Sequence, residues 1–107
     1  MVAFLNEVQT NLRPFTCSGR QFYCERLEEN RGYDITENGE LVLAFEKNRF
    51  GFSVHNEFGK IGNLQDEGCY AYYRTANRDR TVHSSTVVDA IIGASKIEIR
   101  KMSDRNG

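Results

Sequence analysis

Tyrosine and arginine interleave in Tyr70-Ala71-Tyr72-Tyr73-Arg74, and Arg78 and Arg80 follow a few residues later. Tyr70, Tyr72 and Arg74 stand two apart, so a strand would place all three on one face. Phenol rings can stack on bases while guanidinium groups hold phosphates. The same residue types are also enriched where proteins bind one another. Tyr70, Tyr72, Arg74, Arg78 and Arg80 are therefore the candidate binding residues, and their chemistry is recognition rather than catalysis. The plain alternative is that tyrosines favour half-buried strands whatever they bind, with arginines lining the adjacent loop.

Catalytic and metal-binding patterns are hard to assemble from the rest. Structural zinc sites present close pairs such as C-x₂-C, whereas Cys17 and Cys24 are seven positions apart, Cys69 is alone, and His55 and His83 lie far from each other. No metal or other cofactor is expected, and unpaired cysteine most often serves as a small buried hydrophobe. His83-Ser84-Ser85 precedes an expected helix, where serine usually caps the helix; no G-x-S-x-G elbow accompanies it. Cys24 has Glu25 beside it, which discourages a thiolate. Glu25, Glu28 and Glu29 read as a solvated charge run. Gly59-Lys60-Ile61-Gly62-Asn63 has neither Walker spacing nor a dinucleotide fingerprint. The chain leans away from an enzyme.

The segment Arg49-Phe50-Gly51-Phe52-Ser53-Val54 resembles the aromatic strand of RNA-recognition domains over six residues. It lacks the glycine after the basic residue, and a serine precedes the valine. The strand register below assigns Phe50 and Phe52 to the core, whereas stacking aromatics must face solvent. The resemblance therefore implies no RNA-binding role.

That register comes from Glu40–His55. A hairpin folded about Lys47-Asn48 sets Phe45 opposite Phe50, Leu43 opposite Phe52 and Leu41 opposite Val54, which collects six apolar residues on one face. The other face then pairs Glu46 with Arg49. Asn38-Gly39 is a strong turn signal joining Tyr33–Glu37 to Glu40–Ala44. A simple register about it sets Glu37 against Glu40 and Asp34 beside Leu43, and places Tyr33 in one row with Ala44 and Gly51; the register stays open. Gln21–Leu27 and Cys69–Thr75 read as strands, Phe15–Gly19 and Asn77–Arg80 as loops, and Asn56–Gly62 as an irregular strand.

Val2, Leu5, Val8 and Leu12 recur at helical spacing before Pro14, which predicts an N-terminal helix over 2–12. Thr86-Val87-Val88-Asp89 fits a capping box opening a short helix to about Gly93. Ile97 and Ile99 alternate with Lys96, Glu98 and Arg100, which predicts a strand over 96–102, and residues 103–107 read as a frayed tail. The expected fold is a single α+β domain over 1–107. It would have one antiparallel sheet of four to six strands and two helices on one face.

At 107 residues the chain suits one core. No apolar run approaches the ~20 residues of a membrane span, and the N-terminus does not read as a signal peptide; three cysteines, an odd count, fit a reducing compartment. The expected location is cytoplasmic, without membrane contact. Net charge is −1, which excludes a globally basic nucleic-acid binder. Charge is nonetheless uneven: residues 21–67 hold five basic and ten acidic side chains, and 68–107 hold seven and four. The expected function is a non-catalytic interaction protein, an inhibitor or accessory subunit that binds a protein partner. The alternative is a module that binds an anionic small molecule, nucleotide or single-stranded nucleic acid through the Tyr/Arg surface. Self-association through an exposed sheet edge is compatible with either.

Overall fold

The computed structural model describes residues 12–67, 70–83 and 86–106. Eight strands follow one another: β1 (Leu12–Cys17), β2 (Arg20–Arg26), β3 (Gly32–Glu37), β4 (Glu40–Lys47), β5 (Gly51–Asn56), β6 (Gly59–Asp66), β7 (Tyr70–Thr75) and β8 (Asp79–His83). Each pairs antiparallel with the next in chain order, so the sheet is an uninterrupted meander. It curls into a half-barrel, and the helix α1 (Val87–Asn106) lies in the trough.

Tight turns set much of this course. Ser18-Gly19 and Asn38-Gly39 each have positive φ at both residues, 54° and 74° in the first and 53° and 82° in the second. That backbone matches the twist of the strands it joins. The Asn38-Gly39 turn pairs Glu37 with Glu40 and Thr36 with Leu41, after which the register shifts so that Ile35 meets Leu43 and Asp34 meets Ala44. The bulge at Val42 takes Asp34 away from Leu43 and turns Leu41 outward, 61% exposed, while Leu43 is fully buried. The like charges of Glu37 and Glu40 are offset by Arg20, whose Nε and Nη2 donate to the Glu37 carboxylate at 2.7 and 2.6 Å.

The β4–β5 hairpin corrects the expected register by four positions. Phe45 pairs with Val54 and Lys47 with Phe52, leaving 48–50 as a loop. Asn48 builds that loop: its Oδ1 accepts from the backbone N–H groups of Phe50 and Gly51, both at 2.9 Å, and its Nδ2 donates to Ser53 Oγ at 3.1 Å. A shift of an even number keeps the faces, so Leu43, Phe45, Phe52 and Val54 remain buried. Phe50 does not; it stands on the loop, 70% exposed. Tyr33 pairs with Phe45 and meets the Phe52 ring edge-on at 5.7 Å, so it does not cover Gly51, which faces Gln65.

The expected fold class is also corrected. The sheet has eight strands rather than four to six, because Phe15–Cys17 is strand rather than loop and Asn56–Gly62 is a turn followed by β6. No N-terminal helix is among the described elements: residues 2–11 of the expected helix lie outside the described residues, and Leu12 opens β1. Asp79 and Arg80 likewise belong to β8 rather than to a loop. The helix α1 does not stop at Gly93 and contains the expected strand over 96–102 and most of the expected tail. Gly93 is where α1 meets the sheet, since a Cβ there would lie 2.7 Å from Val82 Cγ1.

The buried stripe of α1 runs Ile91, Ala94, Ser95, Glu98 and Ile99, at helical spacing. Two of these are polar yet satisfied. Ser95 Oγ donates to the Ile91 carbonyl at 2.7 Å, and Glu98 accepts from Tyr73 Oη at 2.7 Å and from Lys101 Nζ at 3.2 Å. Thr86 caps the helix, its Oγ1 accepting from the Asp89 backbone N–H at 3.1 Å. Against the stripe lie Phe22, Ile35, Leu43, Phe45, Val54 and Tyr73 from the concave face. Full burial of such side chains contributes roughly 1.5–3 kcal/mol each.

The bulge gives a test within one strand. Leu43→Ala should destabilise the protein by ~2–5 kcal/mol as a core cavity. Leu41→Ala, two residues away, should stay within ~0.5 kcal/mol of the parent. Chemical denaturation of the two variants checks this, and equal losses would contradict the bulge.

Candidate binding surface on the outer face

Because α1 fills the trough, side chains that alternate away from it form the open face of the sheet among the described residues. On β7 these are Tyr70, Tyr72 and Arg74, while Ala71 and Tyr73 point inward and are buried. Tyr70 and Tyr72 are half-buried and meet edge to face, ring centroids 5.4 Å apart. The Arg74 guanidinium lies 5.8 Å from the Tyr72 ring centre, and its Nε is 3.9 Å from Asp79 Oδ2 on β8. Both partners of that ion pair are exposed, so it contributes at most about 1 kcal/mol. It nevertheless means that Arg74 already has an anion beside it.

Three of the five sequence-derived site residues thus come together, and two do not. Arg80 pairs with Tyr73 and so belongs to the opposite face of the sheet. Arg78 lies in the β7–β8 turn, where its N–H donates to Thr75 Oγ1 at 3.2 Å. The arginines are divided among an outer face, an inner face and a turn, and they do not line one track for a phosphate backbone.

Other residues complete the surface. A shallow groove of about 400 Å³ beside Arg74 is lined by Asn48, Phe50, Asn63 and Gln65 together with Phe52 and Leu64. Gln65 pairs with Tyr72 across the β6–β7 ladder, which connects the groove to the tyrosines. The Gln65 amide is committed to Glu67 at 2.6 Å, and Asn48 is committed to its own loop. Gly51 opens the groove: a Cβ there would lie 2.1 Å from the Leu64 carbonyl oxygen, so no side chain separates Phe50 from Gln65. The β4–β5 turn would have revealed Phe50 had Asn48 been read as a turn-building side chain.

The buried chemistry is closed to solvent. Tyr73, 1% exposed, donates to Glu98, and burial together with that carboxylate holds its phenol well above the ordinary range. Cys17 and Cys24 are free and buried. Burial pushes the Cys24 thiol from 9.0 up to about 12, with nearby Arg13 pulling weakly the other way. Among the described residues no three His, Cys, Asp or Glu side chains gather as a metal site, and no helix is long and apolar enough to cross a membrane. Ser84, Ser85 and Cys69 lie outside the described residues. Comparison with protein-family models, curated proteins and solved structures gave no match.

The raised thiol sets a pH dependence. Above pH 9 the unfolded chain loses the Cys24 proton while the folded protein keeps it, so stability falls as pH rises from 9 toward 12. Each pH unit in that window costs up to about 1.4 kcal/mol. Denaturation midpoints measured from pH 8 to 11 should decline less steeply in Cys24→Ala than in the parent. An unchanged slope would mean that the thiol is not held neutral by the fold.

Proposed function

We propose that this is a non-catalytic protein-binding domain that engages its partner through Phe50, Tyr70, Tyr72 and Arg74 on the outer face. One observation carries the reading: an exposed phenylalanine and an arginine line one groove and half-buried Tyr72 adjoins it through Gln65 and Arg74, while Arg78 lies in a turn and Arg80 on the other face. Aromatic anchors beside an arginine, ringed by neutral amides, suit a protein interface. A nucleic-acid groove would need cations gathered along a backbone track. Here Arg74 is paired with Asp79, and Arg80 belongs to the other face. Free, buried Cys17 and Cys24 are compatible with a cytoplasmic setting for that partner.

In this arrangement an apolar or aromatic side chain of the partner enters beside Phe50, and a partner carboxylate or carbonyl meets Arg74. The test is capture of partners from a lysate of the source organism, with and without nuclease, by the parent, Tyr72→Ala and Arg78→Ala. A stoichiometric protein should survive nuclease, be lost with Tyr72→Ala at a cost of ~2 kcal/mol or more, and be kept by Arg78→Ala. Nucleic acid held with a steep salt dependence, and weakened by Arg78→Ala, would overturn the proposal in favour of counterion-driven binding.

A further inference from the structure

The other half of the outer face has a different character. Pro14, Tyr23, Thr36 and Leu41 pair in sequence across β1 to β4, which gives a largely apolar row. Tyr23 is 41% and Leu41 61% exposed. The next row along the strands places Glu25 of β2 directly opposite Asp34 of β3. Like charges directly opposed on a sheet are unfavourable. Among the described residues neither carboxylate has an ion-pair partner, although basic side chains elsewhere on the sheet do. Burial alone raises the Asp34 carboxyl above its ordinary range, with no opposing cation. Asp34 and Ala44, which share that row, border a groove of about 670 Å³ that continues along the strands to Leu27, Glu46 and the basic residues Arg31 and Lys47.

We propose that the outer face of β1 to β4 is a docking strip for an extended segment of a partner protein in which a single lysine or arginine lies between apolar residues at alternate positions. The spacing follows from the sheet. Successive outward residues on a strand are ~6.6 Å apart, as are side chains two apart in an extended segment lying along it. One apolar side chain covers Tyr23 and Leu41, the cation bridges Glu25 and Asp34, and the next apolar side chain reaches the far end of the groove at Leu27. Arg31 and Lys47 repel a second cation at that end. Curvature fixes the direction, because the half-barrel is convex across its strands and straighter along them. It also disfavours a second copy, since two convex faces touch along only a narrow line. The strip is separate from the Tyr72 surface and does not depend on it.

The test uses the full chain and two labelled peptides, Val-Thr-Lys-Thr-Val and Val-Thr-Glu-Thr-Val, read by fluorescence anisotropy and by amide shifts in NMR. The lysine peptide should bind saturably, at least tenfold more tightly than the glutamate peptide, and shift the signals of Tyr23, Asp34 and Leu41. Glu25→Lys with Asp34→Lys should reverse the preference, whereas Tyr72→Ala should leave it unchanged. Several results would overturn the proposal: no saturable binding of the lysine peptide, equal binding of both, or shifts confined to β7. So would peptide binding only after removal of residues 1–11, which would make that segment the occupant, or concentration-dependent dimerisation abolished by Tyr23→Ser.

Discussion

An eight-stranded meander that curls without joining its first strand to its last can bury its inner side chains only against something lying in the trough. Here that object is α1, and it reaches both edges. Arg13 of β1 meets Asp89 at 3.2 Å, Cys17 Sγ lies 3.8 Å from the Lys96 carbonyl, and Gly93 lets the helix close on Val82 of β8. Ion pairs as exposed as Arg13–Asp89 contribute little, so the edges are held by buried contacts: the weak thiol hydrogen bond of Cys17 at one and the close packing of Gly93 on Val82 at the other. The helix thus substitutes for the hydrogen bonds that would close a barrel.

Filling the trough leaves little open space inside the half-barrel, and this determines where binding can occur. Lipocalin-like barrels keep an interior for a ligand; here Tyr73, Glu98, Ser95 and Ile99 occupy it. The Tyr73–Glu98 hydrogen bond is itself a consequence of the packing. A carboxylate carried into the core on the buried stripe of α1 must be satisfied there, and a phenol from β7 supplies the proton. The same alternation that turns Tyr73 inward to meet Glu98 turns Tyr72 and Arg74 outward. Core and candidate site are therefore two faces of one strand.

This coupling shows which parts of the structure were legible in the sequence. Alternation was readable wherever both faces had plain character, so the inward set Leu43, Phe45, Phe52 and Val54 and the shared face of Tyr70, Tyr72 and Arg74 could be inferred. Local turn chemistry was readable at Asn38-Gly39. Polar groups in structural roles hid the rest. Glu98 looks like the wet side of a strand because its partner Tyr73 lies 25 residues away, and Ser95 finds its partner, the Ile91 carbonyl, only once the segment is helical. Asn48 looks like half of a two-residue turn, although its side chain builds a longer loop. Pro14 reads as a helix stop, yet it is tolerated in β1 because an edge strand can spare an amide donor. Strand count failed for the same reason: short polar strands such as β1 and β8 owe their pairing to neighbours rather than to their own pattern.

The uneven charge of the chain gains meaning from the meander order. Because each strand lies beside the next, position in sequence becomes position across the sheet, and the acidic stretch 21–67 spans β2 to β6 while the more basic remainder begins at β7. On the outer face this leaves Glu25 and Asp34 near one edge and Arg74 near the other, about five strands apart at ~4.8 Å each. Intrasheet ion pairs cannot bridge that distance through water. The separation is wide enough for two regions of opposite sign on the outer face to act independently.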